Sequence, residues 1–136
     1  TEFGIPELRR FGGTVRYETR FGLPSSDAAT CWWLDLGEVR HSARVFLNGI
    51  EVGVLVQAPF RIALPTCALK RKVNQLAVEV TTLAANRIRD LDRRGVSWKI
   101  FRDINFVNDR YKPFDASGWD LMDGGLLGPV TLVPSR

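Results

Sequence analysis

Asn48-Gly49 is the feature that most limits what this chain can fold into. Ser42-Ala43-Arg44-Val45-Phe46-Leu47 precedes it and Ile50-Glu51-Val52-Gly53-Val54-Leu55-Val56 follows it, two runs rich in β-formers. A type I′ turn needs positive φ at both central residues, and Asn-Gly meets that need at the least steric cost. Two such runs joined by this dipeptide predict a β-hairpin. A hairpin near the middle of the chain commits its neighbours to antiparallel pairing.

The flanking segments agree. Thr14-Val15-Arg16-Tyr17-Glu18-Thr19-Arg20-Phe21 alternates strictly, with Val15, Tyr17, Thr19 and Phe21 on one face and charged or polar residues on the other. Gly22-Leu23-Pro24-Ser25-Ser26-Asp27 then reads as a loop. Cys31-Trp32-Trp33-Leu34-Asp35-Leu36 predicts a strand stopped by Gly37, with Trp32, Leu34 and Leu36 inward and Trp33 beside Asp35 outward. Pro59 to Pro65 predicts an edge strand or extended segment, because proline cannot donate to a ladder. Asn74 to Thr81 alternates again with Leu76, Val78 and Val80 inward, and Pro129 to Pro134 makes a last short strand. Short strands at regular spacing with turn residues between them predict an all-β fold, a β-sandwich or jelly roll. No stretch before residue 84 has a helical period, which disfavours parallel α/β folds and their dinucleotide sites.

At 136 residues the chain is read as one domain, 1–136, able to bury a core without staples. It opens on Thr1-Glu2-Phe3-Gly4, as an excised domain would. No apolar run approaches the roughly eighteen residues of a membrane span, and no signal peptide is visible. The net charge of +4 favours anionic partners only weakly, since basic and acidic residues are interleaved. In Arg87-Ile88-Arg89-Asp90-Leu91-Asp92-Arg93-Arg94 two aspartates dilute four arginines, so neither a nucleic acid nor a membrane partner is expected. Cys31 and Cys67 lack metal-site spacing and fit either one bridge or two thiols.

Residues 84–128 break the pattern: a long irregular insertion holding Trp98, Phe101, Phe106, Tyr111, Phe114 and Trp119. Loops of that length are uncommon in compact domains and are usually functional. Within it, Arg87 to Leu91 predicts one or two helical turns.

Several phrases then become specific when read in order. They are Trp33-Leu34-Asp35-Leu36-Gly37-Glu38-Val39, Ala43-Arg44-Val45-Phe46-Leu47-Asn48-Gly49, Gly53, Ala58-Pro59-Phe60-Arg61, Asn74-Gln75-Leu76-Ala77-Val78-Glu79-Val80, Ala85-Asn86-Arg87-Ile88 and Gly125-Leu126-Leu127-Gly128-Pro129-Val130. Together they resemble the galactose-binding-like, jelly-roll sugar-binding domain of glycoside hydrolase family 2 and of related rhamnosidase-type enzymes, from about Gly13 to Leu132. The resemblance implies a carbohydrate-binding module of a larger secreted enzyme, extracellular or periplasmic, that works beside a catalytic domain it does not contain. In family 2 enzymes this domain often packs as scaffold and touches substrate little. That gives the alternative implication, a structural accessory domain that binds no sugar.

The chemistry of single residues points the same way. His41 and Ser42 are adjacent, and adjacent strand residues face opposite ways, so they do not form a nucleophile and base. Asp90, Asp92, Asp103, Asp109, Asp115, Asp120 and Asp123 show no spacing diagnostic of paired-carboxylate hydrolysis. Asp115, Asp120 and Asp123 could hold a structural calcium ion, but loop capping is the simpler reading, and no cofactor is expected. Sugars present an apolar C–H face and a rim of hydroxyls, which a flat aromatic ring and planar polar groups can match. Trp98, Tyr111 and Trp119, with Asn86, Arg87, Asp90, Arg102, Arg110 and Lys112, supply both kinds of group in the insertion, and Trp33 offers a second platform. The arginines and lysines suit uronate-bearing plant polysaccharides such as pectin, whose carboxylates accept charge-assisted bonds. The expected molecule is a monomeric, non-catalytic module that binds poly- or oligosaccharide.

Overall fold

A computed structural model of the chain describes residues 9–23, 31–100 and 110–135. The sequence readings at Thr1–Gly4, Pro24–Asp27, Phe101, Arg102, Asp103, Phe106 and Asp109 lie outside the described residues. The strands are β1 (Thr14–Phe21), β2 (Cys31–Asp35), β3 (Glu38–Arg40), β4 (Ser42–Leu47), β5 (Ile50–Leu55), β6 (Arg61–Leu64), β7 (Asn74–Thr81), β8 (Gly125–Gly128) and β9 (Thr131–Ser135), with one helix, α1 (Ala85–Arg93), between β7 and β8. The fold is an all-β sandwich. No helix among the described residues is long and apolar enough to cross a membrane.

Two compact units divide the chain: residues 13–82 with 123–136, and residues 83–122 with those up to 12. The first is the sandwich. One sheet runs β1-β7-β4-β5, another β6-β2-β9, and β3 pairs with β8. All of these pairings are antiparallel. Alternation explains the core. Trp32, Leu34 and Leu36 point inward from β2 and its end, Ala43, Val45 and Leu47 from β4, and Leu76, Val78 and Val80 from β7. Val45, Leu47 and Val80 are fully buried, so the hairpin and its neighbour are the centre of the hydrophobic stabilisation.

The turn adopts the predicted geometry, with φ of 52° at Asn48 and 85° at Gly49. Asn48 also works as a bolt. Its amide Nδ2 donates to the Ala68 carbonyl at 2.7 Å and to Asn74 Oδ1 at 3.0 Å, while its Oδ1 accepts from the Gln75 N–H at 3.0 Å. Asn74, fully buried, closes the turn before β7: Oδ1 accepts the Lys70 N–H and Nδ2 donates to the Lys70 carbonyl, both at 2.7 Å. Every side-chain polar atom of buried Asn74 and half-buried Asn48 is matched, as a low-dielectric site requires. Asn74→Ala is expected to cost about 2–4 kcal/mol in urea unfolding, because several main-chain groups lose their partners at once. A loss under about 1 kcal/mol would show that solvent replaces them.

Two strands were not foreseen. Gly125 to Gly128 falls inside the stretch read as irregular insertion, yet it pairs with Glu38 to Arg40, which ends the irregular part at Gly124. Both strands are very short and β8 is bounded by glycines, so neither shows a period. Gly37 at φ 64° and Gly128 at φ 74° are joined by a bridge beside this pairing. His41, at φ 85°, is the turn residue between β3 and β4. Cys31 and Cys67 are free thiols.

Candidate functional site

In the unit formed around residues 83–122, α1 is the framework. It is longer than the one or two turns predicted. Its end is a Schellman closure in which the Val96 N–H reaches the Leu91 carbonyl at 2.9 Å and the Gly95 N–H reaches Asp92 at 3.1 Å. Asp90, Arg87 and Arg94 share one face through their i, i+3 and i, i+4 spacing. Arg94 donates to Asp90 Oδ2 at 2.6 and 2.9 Å, Arg87 lies at 3.7 Å, and Arg10 at 3.9 Å. One carboxylate thus sits among three guanidiniums.

Asp92, with 6% of its side chain exposed, fastens the loop to this helix. Oδ1 accepts the Trp98 indole Nε1–H at 2.6 Å and pairs with Lys99 Nζ at 3.2 Å, and Oδ2 accepts the Ala116 N–H at 2.8 Å. Lys99 continues to the Phe114 carbonyl at 2.6 Å and lies over the rings of Trp98 and Phe114. Burial pushes the Asp92 carboxyl upward. The hydrogen bonds from Ala116, Trp98 and Lys99, with the Lys99 charge, outweigh that and hold it below the usual carboxylate range. Asp115 is also held low, by its bonds with Ser117. A general acid requires the opposite shift, so neither carboxyl suits that role. Asp115 caps its own loop turn; among the described residues no cluster of three or more His, Cys, Asp or Glu could hold a metal.

The aromatic residues of the loop interlock. Phe114 meets Trp98 at 6.2 Å and 84° and Trp119 at 5.6 Å and 89°, both edge to face. Asn86 spends both ends of its amide on Met122, donating to its carbonyl at 2.7 Å and accepting its N–H at 2.9 Å. Arg89 donates to the Trp119 carbonyl. Tyr111, at φ 54°, stands largely in solvent, as do Arg110 and Lys112. Of the predicted loop aromatics, Trp98 and Trp119 are thus joined through Phe114 edge to face rather than in a flat row, and Tyr111 stands in solvent.

Trp33 has a different setting in the sandwich. It stands on the outer face of the β6-β2-β9 sheet at 38% exposure, directly between Ala63 of β6 and Val133 of β9. Arg61 lies over its ring at 5.7 Å and pairs with Asp35 at 3.2 Å, while the other Asp35 oxygen accepts the Gly37 N–H at 2.9 Å. Asp35 aims Arg61, and Arg61 covers part of the indole. The outer face of the other sheet is built otherwise. There Phe46 lies under Arg16 and Arg44, whose charges are tied to Glu18, Glu51 and Glu79. Sequence reasoning singled out Trp33 but missed Arg61; the signal was the opposite charge of Asp35 across a predictable register.

No protein-family model matches the chain. It is 33% identical over 144 aligned positions to a Formosa agariphila protein that carries a provisional β-glucuronidase name, covering 92% of this chain and 12% of that protein. The rhamnosidase of Novosphingobium sp. PP1Y superposes with a TM-score of 0.75 at 28% identity, over 96% of this chain and 12% of the enzyme. The β-glucuronidase of Ruminococcus gnavus gives 0.52 at 26% identity, over 60% of this chain and 14% of the enzyme. The chain therefore spans about an eighth of the length of these proteins and is similar to a segment of glycoside hydrolases rather than to a whole one.

Proposed function

We propose that this chain is a non-catalytic module of an exported glycoside hydrolase and that it holds polysaccharide on the outer face of the β6-β2-β9 sheet. Trp33 carries the reading. Its ring is partly exposed to solvent, flanked by Ala63 and Val133, partly covered by one fixed donor, Arg61, and neighboured by one acceptor, Asp35. An apolar plane with a polar rim is what a pyranose ring requires. The relatives' names, glucuronidase and rhamnosidase, suit a parent enzyme acting on glycans that carry uronate or rhamnose, such as pectic plant cell-wall chains. The partners of the module are then a polysaccharide and the catalytic part of its own enzyme.

The test is Trp33→Ala in affinity electrophoresis against a panel of plant polysaccharides. Retention is expected to fall about tenfold, the loss of one stacking contact, with unchanged thermal stability. Unchanged retention in the variant, or none in the parent chain, would sink the reading.

A second reading, a structural accessory domain without sugar binding, is favoured by the insertion. Trp98 and Trp119 each meet Phe114 edge to face, and Trp98 is pinned by Asp92, which suits a scaffold better than a stacking platform. It expects Trp98→Ala to lower stability and the chain to bind no glycan.

A further inference from the structure

Lys70-Arg71-Lys72 forms the tip of the turn before β7, and all three residues are exposed. We propose that this tip is a second binding site, for the carboxylates of a linear polyuronate chain; the proposal rests on the polysaccharide-binding reading. Charge is the first observation. Arg16, Arg40, Arg44, Arg61, Arg87, Arg94 and Lys99 each face an acidic side chain. No such partner is present for Lys70, Arg71 or Lys72 among the described residues, and the sequence has no Asp or Glu between Glu51 and Glu79. Arg20, likewise without an acidic partner there, is placed beside the start of β7 by its register with Gln75. Four cations share one corner of the sandwich, and no salt bridge joins any of them to an acid among the described residues.

Rigidity is the second observation. The buried Asn74 amide grips both the N–H and the carbonyl of Lys70. The end of β1 is packed against the turn so closely that a Cβ on Gly22 would lie 2.9 Å from the Lys72 carbonyl oxygen. The three side chains therefore leave a fixed base, which reduces the ordering cost of binding. Single exposed ion pairs are weak, so such a tip holds a ligand only when several charges engage together. A polymer with a carboxylate on each sugar supplies that repetition. A single-stranded nucleic acid would also call for stacking surfaces, and residues 66–75 contain no aromatic ring.

The experiment compares the parent chain, the triple variant Lys70→Ser, Arg71→Ser, Lys72→Ser and Trp33→Ala in calorimetry with polygalacturonate, a neutral glucan and duplex DNA, at low and high salt. Asn74 holds only main-chain atoms of Lys70, so the triple variant is expected to fold with the parent's melting temperature. It should bind polygalacturonate about tenfold more weakly, lose most of the salt dependence and keep its hold on the neutral glucan. Trp33→Ala should weaken both glycans. Parent-like binding of polygalacturonate by the triple variant overturns the inference, as does tighter, tip-dependent binding of DNA. A parent chain that holds neutral glucans but not polygalacturonate overturns this inference alone. One that holds no glycan overturns the polysaccharide reading as well.

Discussion

Gly37→Ala is expected to destabilise the sandwich by roughly 3 kcal/mol or more, lowering its melting temperature by on the order of 10 °C. Two costs combine. Gly37 sits at φ 64°, where an L side chain costs about 1–2 kcal/mol. A Cβ there would also meet the carbonyl carbon and oxygen of Gly128 at 2.5 Å and the Pro129 oxygen at 2.7 Å. These are backbone atoms, and they cannot rotate away. Relief requires parting the bridge between Gly37 and Gly128, and with it the β3–β8 pairing. Gly49→Ala separates the two costs, since φ is 85° there but nothing lies within 4 Å of the added carbon. It should lose only the backbone cost, about 1–2 kcal/mol. Equal losses at the two positions in thermal unfolding would show that the close approach contributes nothing.

Asp92→Asn should have the second large effect, confined to the unit around residues 83–122. The carboxylate accepts from Trp98 and Ala116 and faces Lys99, all donors. An amide of the same shape must turn its NH2 toward one of these and leaves Lys99 without its counter-charge. The expected cost is about 2–4 kcal/mol, read as loosened indole fluorescence and faster proteolysis of the loop. The pH dependence follows from the direction of the Asp92 shift. A carboxyl held lower in the folded state than in the unfolded chain contributes stability that is complete above the unfolded value, near pH 4, and is lost as pH falls through the folded one. The parent chain should therefore release its loop as the pH drops below about 4, and the asparagine variant should show a smaller step, that of Asp115 alone. A parent chain with a pH-independent loop would contradict the role given to Asp92.

Legibility in the sequence followed the range of the interactions. β1 and β7 came out at their observed limits because alternation is local and each strand has one dry and one wet face. Asn48-Gly49 was readable as a turn, but its grip on Ala68 and Asn74 was not, since side-chain bonds across twenty or more positions leave no periodic trace. β3 and β8 escaped for the same reason: their pairing joins short segments far apart in the chain. The insertion was recognised by its aromatic content, yet Trp98, Tyr111 and Trp119 were read as equivalent surfaces. Their difference depends on Asp92, which in sequence was one carboxylate among many, and on Phe114, which brings Trp98 and Trp119 edge-on. The basic tip is not distinctive in sequence, because three cations in a row look like an ordinary solvated turn until the positions of the acids in space are known.

The Asn74 closure separates the fold from what the turn displays. It recognises the turn at residues 70–73 only through the peptide groups of Lys70 and is indifferent to the side chains displayed there. Those positions can drift, or be replaced by a designer, without the sandwich registering the change. The frame and the displayed side chains are thus separable, so substitutions at Lys70, Arg71 and Lys72 should cost folding little.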